Sequence, residues 1–396
     1  MSVVVLFASA SIVFGQAQPS TNQSTAFGPN GCGRVDPVYI QTANETGGMP
    51  MFLQPSEVGK AFQLVRESTR NNVATVFWAT GTLGGKPQTI EIPVDSEAKR
   101  ITFTFSVDTK GGTIRLTQPS GGVITQGLAD TEVTELNCGR IVTVISPEAG
   151  AWRAEISGTG RFWMEAQAQS DIYFISVEFV EKGGRPGHEG LFRIQGQPVV
   201  GTAATLKASL SARVIASTEF YLVSERGQAI QKLQMQAVSS DQEFKEFAGS
   251  LSLPDVPFRV AAMGKDLNGR QYQRFFPTLF HAESVEVSAK ADVEELPAGS
   301  SRRIEFTVRN IGLPRTFKIN VTDTHQFVSK VEPKEIALAA GESGAVWVDL
   351  TLPAGAVPGG GEDVVFVAAS SAGPPTTNSS VVHFSVFSPD STQNPR

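Results

Sequence analysis

The chain reads as an all-β protein, three β-sandwiches in series behind a short N-terminal helical segment, and three features of its 396 residues carry that reading. From Asn71 onward apolar side chains recur at every second position. Ile101, Phe103, Phe105 and Val107 alternate with Thr102, Thr104 and Ser106, which is the spacing of strands with one buried and one wetter face. The turns between such runs are rich in glycine, as at Thr82-Leu83-Gly84-Gly85, Asp108-Thr109-Lys110-Gly111-Gly112, Ser120-Gly121-Gly122 and Ser157-Gly158-Thr159-Gly160. Short strands with that punctuation indicate sandwiches. Only one segment has helical spacing.

That segment follows Pro55-Ser56, where Ser56 is a candidate N-cap and Val58, Ala61, Phe62 and Val65 recur at i, i+3, i+4 and i+7. The first strand set runs over 71–182 and includes a second alternation, Tyr173, Ile175, Val177 and Phe179 against Phe174, Ser176 and Glu178. At Glu181-Lys182-Gly183-Gly184-Arg185-Pro186-Gly187 the pattern breaks into a polar Gly/Pro stretch, a natural linker. A second set over 183–284 carries Leu206/Ala208/Leu210, Phe220/Leu222 and Phe258/Val260/Ala262. Its hairpin from Arg259 to Arg274 closes at Asn268-Gly269, a pair that favours a two-residue turn. In the third set, 285–388, Ile304, Phe306 and Val308 oppose Arg303, Glu305 and Thr307, and Phe317, Ile319 and Val321 oppose Lys318, Asn320 and Thr322. Val346, Val348 and Leu350 repeat the scheme. Residues 18–70 form an N-terminal segment, and 389–396 a loose polar tail.

Composition narrows the function. Apolar residues make up 40% and charged residues 18%, a globular balance rather than a disordered one. A net charge of −6 with no basic block argues against nucleic acid or an anionic membrane as partner. Val3 to Phe14 is a short apolar run followed by the small residues Gly15-Gln16-Ala17. It reads as a secretion signal, residues 1–17, although its start lacks the usual positive charge. No later run is long enough to insert in a bilayer, so the expected destination is extracellular.

In an oxidising compartment Cys32 and Cys138, each beside glycine, either pair as a disulfide or remain two buried thiols. Four N-x-[ST] acceptors, Asn22, Asn44, Asn320 and Asn378, make the chain a candidate glycoprotein. Asn320 falls on the solvent side of its strand and Asn378 in a Pro/Thr/Ser loop.

The search for chemistry returns no catalytic residues. His188, His281, His325 and His383 are isolated, and no nucleophile elbow, dinucleotide fingerprint or P-loop occurs. No metal and no cofactor are expected. Asp266-Leu267-Asn268-Gly269 and Asp108 with Gly111-Gly112 invite a calcium reading, but both lack further oxygen ligands and read as turns. Trp152 keeps step with Ala154 and Ile156 and belongs to the core. Trp163 shares its face with Glu165 and Gln167, so it is either a platform for a sugar ring or packed beneath a neighbouring element. Trp347 beside Asp349 poses the same choice.

Three stretches, Ile92-Pro93-Val94-Asp95, Glu148-Ala149-Gly150-Ala151-Trp152 and Val260 to Asp266 running on to Tyr272-Gln273-Arg274, resemble the region that follows the von Willebrand A domain in hemicentins and in the related von Willebrand A domain-containing protein 7. The resemblance implies a galactose-binding-like jelly roll for the first sandwich and an immunoglobulin-like second one. Phe306-Thr307-Val308-Arg309-Asn310-Ile311-Gly312, Pro333 and Gly341-Glu342-Ser343 resemble an immunoglobulin-like domain of many extracellular proteins. Tyr39 to Ser68, with Thr46-Gly47-Gly48, is similar to the end of the A domain itself. No D-x-S-x-S occurs, so that family's metal-dependent adhesion site does not carry over. Nor does the third set hold the paired cysteines and central tryptophan of hemicentin's immunoglobulin repeats. The chain is then either a shortened relative or a fragment of a longer product.

The resemblance implies a secreted, non-enzymatic interaction or adhesion protein of the extracellular matrix, with an extracellular protein or glycan as partner. A carbohydrate-binding module using the jelly roll is the alternative, and an accessory domain set cut from a hydrolase a third.

Overall fold

The computed structural model describes residues 3–8, 11–16, 32, 37–183, 187–211, 213–240, 243–290, 295–357, 359, 361–373 and 375–388. Asn22 and the tail 389–396 lie outside them. The chain divides into two compact units. One joins Met1–Glu178, Thr205–Leu251 and Val256–Phe280; the other joins Phe179–Ala204, Ser252–Asp255 and His281–Arg396.

In the first unit β1 (Val3–Ala8) pairs antiparallel with β2 (Ser11–Gln16) and with β3 (Met49–Leu53). The apolar run read as a signal is thus strand-paired here. Helix α1 (Pro37–Thr46), which the spacing did not announce, begins at a proline, whose missing N–H is no loss in a first turn. It stops at Gly47, φ +75°, where an added Cβ would stand 2.5 Å from Pro277 Cβ. The helix expected after Ser56 is divided into a 3₁₀ turn, Pro55–Ala61, and α2, Phe62–Ser68. Its start is fixed two residues earlier than Ser56, by the Gln54 N–H donating to Glu57 Oε2 at 2.9 Å. Glu57, Ala61, Leu64 and Glu67 form its buried face, while Phe62, placed by spacing on the apolar side, is 59% exposed. Among the described residues no helix is long and apolar enough to cross a membrane.

Eight strands follow: β4 (Val73–Gly84), β5 (Gln88–Val94), β6 (Arg100–Val107), β7 (Thr113–Thr117), β8 (Thr131–Leu136), β9 (Gly139–Ile145), β10 (Gly150–Ser157) and β11 (Thr159–Gln169). A small sheet ordered β5-β10-β7 packs on a large one that contains β4-β11-β6-β9-β8. Ile92, Trp152 and Ile156 from the small sheet meet Val76, Phe103, Phe105 and Met164 from the large one, with the Phe103 and Trp152 rings 5.2 Å apart. The far side of the large sheet is also covered. Trp78, Ile141 and Trp163 pack against Met49, Met51, Phe52, Leu53 and Leu64 of the N-terminal segment. Thr102, Thr104 and Ser106, expected on a wetter face, are therefore fully buried.

Nine further strands run through β12 (Phe174–Gly183), β13 (Gly190–Arg193), β14 (Ala203–Ser211), β15 (Ile215–Val223), β16 (Ala229–Leu233), β17 (Gln236–Ser240), β18 (Phe244–Ser252), β19 (Arg259–Asp266) and β20 (Gln271–Phe275). The run β16-β15-β19-β20 continues the large sheet, which reaches β4 through the single pair Phe275 and Thr75. Phe174 meets Phe220 and Phe276, with centroids 6.4 and 5.8 Å away, so Ile175 turns outward instead of sharing the buried face with Val177. The β19–β20 turn is longer than two residues. The Asp266 N–H bonds the Arg270 carbonyl and Gly269 adopts φ +76°, a three-residue loop with a left-handed glycine.

The second unit holds the third strand set: β21 (Val285–Ala289), β22 (Glu295–Pro297), β23 (Ser301–Asn310), β24 (Arg315–Asp323), β25 (Val328–Glu332), β26 (Glu335–Leu338), β27 (Ser343–Thr351), β28 (Gly361–Ser370) and β29 (Thr377–Phe387). Sheets β21-β23-β27-β25 and β22-β29-β28-β24-β26 face each other. Ile304, Phe306, Val308, Val346, Val348 and Leu350 are buried as their alternation requires, with Phe306 stacked on Phe366 at 4.4 Å.

Candidate functional site

The two cysteines meet. Cys32 and Cys138 are joined by a disulfide across a sequence separation of 106 residues, and Cys138 lies in the two-residue turn between β8 and β9. The bond ties the N-terminal segment to that hairpin. Glu57 reinforces the tie, since its Oε1 accepts from the Asn137 N–H at 2.7 Å.

Trp163 is no sugar platform. It is 2% exposed, with its ring 5.5 Å from Phe52 of β3, because the N-terminal segment covers the face it shares with Glu165 and Gln167. That covered face holds the most unusual electrostatics of the first unit. Burial pushes the Glu165 carboxyl up to about 7, against the pull of hydrogen bonds from Gln167 and Thr75 and of nearby Arg259. Burial likewise lowers the Arg259 guanidinium to about 10. Arg259 sits over the Trp78 ring at 3.6 Å and donates through Nε to the Pro277 carbonyl at 2.9 Å and through Nη2 to the Asn44 carbonyl at 3.1 Å. A second buried cation, Arg274, is paired with Asp95 at 2.7 Å and donates to the Ile172 carbonyl and Ser170 Oγ. Both arginines serve as internal struts rather than reactive groups.

The acidic turns are filled by donors, not shaped for calcium. Asp266 accepts from the N–H groups of Asn268 and Arg270 at 2.9 and 2.8 Å and from Ser96 Oγ at 2.6 Å. Burial alone would push its carboxyl up, yet those bonds hold it below the usual carboxylate range. Asp108 accepts from the Arg161 N–H and Nε at 2.8 and 3.0 Å. Among the described residues no three His, Cys, Asp or Glu side chains gather as a metal would require.

The sequons fall in different surroundings. Asn320 is exposed on β24. Asn44 is half-buried in α1 with its Oδ1 turned inward. Asn378 is not in a loop: it stands in β29, 5% exposed. Its Nδ2 donates to the Gln197 and Val285 carbonyls at 3.0 and 2.9 Å, so the atom a glycan would need is already engaged.

A groove of about 760 Å³ opens between α2 and β8. One wall is the exposed ring of Phe62 with Val65 and Lys60; the other is Val133, Thr134 and Glu135. Among the described residues β8 is the last strand of its sheet. With a two-residue turn at its end, Glu132, Thr134 and Leu136 direct their backbone groups to β9, and Thr131, Val133 and Glu135 direct theirs outward. Sequence reasoning missed this site. Thr131 to Leu136 shows a strand pattern, but nothing in it tells an edge from an interior position. On the third sandwich Trp347 is 40% exposed on β27, opposite Glu305 and Glu332 in the ladder.

Residues 74–171 match the hemicentin galactose-binding domain-like family, and residues 285–388 match the VWA7 Ig-like domain. The chain is 24% identical to Hemicentin-1 of Mus musculus over 246 residues, 60% of this chain and 4% of that protein. It is 25% identical to Hemicentin-1 of Homo sapiens over 185 residues, 45% of this chain and 3% of that protein. The match thus spans a small fraction of the curated relatives. Among solved structures, Escherichia coli alpha-2-macroglobulin aligns over 77% of this chain and 32% of its own, at 11% identity and a TM-score of 0.25, too low to carry any argument.

Proposed function

We propose that the chain is a non-enzymatic interaction or adhesion component of the extracellular space or matrix, binding an extracellular protein through sandwich faces and loops. The observation that carries this reading is the pair of domain matches on one chain, hemicentin galactose-binding-like and VWA7 Ig-like. The disulfide between Cys32 and Cys138 supports an oxidising compartment. The acidic turns and the buried Arg274 are filled by partners within the protein, which leaves exposed surface as the functional material. Trp163, the candidate sugar platform, is covered by the N-terminal segment, which favours a protein partner over a glycan.

A secretion signal ending near Ala17 is part of this proposal, with a structural consequence: cleavage there would remove β1 and β2 and open the edge of β3. The full chain expressed in animal cells should appear in the medium, where N-terminal sequencing reads the start of the mature protein. The purified chain should capture at least one partner on an array of extracellular and cell-surface proteins. Retention inside the cell together with an empty array would overturn the reading.

A further inference from the structure

We infer that the groove between α2 and β8 takes an extended peptide segment of a partner protein, which adds a strand to the free edge of β8. The inference rests on the interaction function proposed above and names the kind of partner one of its surfaces fits. Four observations converge on it. Among the described residues β8 ends its sheet, and Thr131, Val133 and Glu135 have no strand partner for their outward ladder groups along roughly 20 Å of strand. The protein's own groups satisfy that edge poorly: Lys60 Nζ reaches the outward Glu135 carbonyl only at 3.4 Å, a length a peptide N–H would improve upon. The volume, about 760 Å³, lies in the range of ligand sites. An apolar wall is supplied by Phe62, exposed for more than half its surface with no core role.

Charge selects the occupant further. Arg66 at the groove pairs with Glu67 and Glu132, and Glu135 pairs with Arg140 at 2.8 Å. Lys60 is exposed and, among the described residues, has no carboxylate within ion-pair distance. A fitting segment is therefore extended, alternates β-branched or aromatic residues to face Phe62, and carries a carboxylate for Lys60. Backbone pairing supplies affinity in this mode and the side-chain pockets supply selectivity. A lone strand enters a groove walled by α2 more easily than a second copy of β8, which would arrive flanked by its own α2.

The test pans a random dodecapeptide display library against the full chain. Enriched peptides should share the alternating pattern and an acidic residue, and Val133 amide exchange should slow when one is bound. Val133→Pro deletes an outward N–H on an edge strand, where proline is tolerated, and should weaken the enriched peptides by about tenfold or more. Phe62→Ala, at an exposed side chain that leaves the core untouched, should do the same. Lys60→Glu should shift selection from acidic to basic peptides. The inference is overturned if no peptide is enriched, if enriched peptides bind both variants as well as wild type, or if sedimentation shows a wild-type dimer that Val133→Pro dissolves. An array partner indifferent to Val133→Pro would remove this inference and leave the broader reading standing. Peptides that depend on β8 beside an empty array would do the reverse.

Discussion

Arg259 lies over the ring of Trp78 with its guanidinium carbon 3.6 Å from the ring centroid, and both side chains are buried. The cation spans three parts of the first unit: β19, which carries it; β4, which carries Trp78; and α1, whose Asn44 carbonyl it reaches. A desolvated cation over tryptophan contributes about 2 kcal/mol, and a planar guanidinium also fills the gap between elements.

Replacing Arg259 by alanine should therefore be costly. The change strands the Pro277 and Asn44 carbonyls and opens a cavity beside Trp78, for a loss of about 3–5 kcal/mol. Arg259→Lys should recover little, because an ammonium cannot stack and bond two carbonyls at once. Urea unfolding monitored by Trp fluorescence measures both. A loss below about 1 kcal/mol in the alanine variant would mean that Arg259 is not a strut.

Glu165 gives the fold a pH dependence of opposite sign to most carboxylates. Its folded value is raised to about 7 from 4.5, so the folded protein holds a proton that the unfolded chain releases. The corresponding stability is complete below about pH 4.5 and is lost as pH rises to about 7, by roughly 1–3 kcal/mol. Glu165→Gln removes the ionisation while keeping the shape. The variant should match wild type in urea midpoint at pH 5 and exceed it at pH 8, with Arg259 and the Thr75 and Gln167 partners unchanged. Equal midpoints of the two proteins at both pH values would refute the assignment.

The Cys32–Cys138 bond closes a loop of 106 residues, and loops of that length stabilise by about 4–5 kcal/mol in the chain-entropy account, usually less in practice. The double variant Cys32→Ser, Cys138→Ser should lose about 2–4 kcal/mol. The loss should concentrate in the N-terminal segment, because β3 and α2 are what the bond pins to the β8–β9 turn. Hydrogen exchange should show Met49–Leu53 opening first. Uniform weakening throughout both units would contradict that placement.

The third sandwich is the part most legible from the chain alone. Each of its central strands has one core face and one solvent face, so the alternation of Ile304, Phe306 and Val308 translates directly into burial. The first sandwich is harder to read because its large sheet is covered on both sides. Thr102, Thr104 and Ser106 look like solvent positions and Trp163 looks like a platform only while the N-terminal segment is ignored. That cover is a contact between residues about a hundred positions apart, which no local period encodes. The groove escaped for a related reason, since an edge strand is defined by the absence of a neighbour. Ile175 and Phe62 show the limit at single-residue scale, each displaced from its periodic face by what its neighbours fill first.

Glycan placement separates residue type from accessibility. All four sequons satisfy the same three-residue rule, but a transferred glycan needs the asparagine Nδ2 free and facing solvent. Asn320 meets that condition on the outer face of β24. Asn378 does not: its Nδ2 bonds the Gln197 and Val285 carbonyls, and its Oδ1 accepts from the Gln197 N–H at 2.8 Å. Protein secreted from animal cells should yield a glycosylated Asn320 peptide and an unmodified Asn378 peptide by mass spectrometry. Asn378→Ala should then cost about 2–4 kcal/mol, the desolvation left on three backbone groups, whereas Asn320→Gln should change mass with stability held within about 0.5 kcal/mol. A glycan found on Asn378 would show that β29 is not buried at its start and that the 195–197 segment does not pack there.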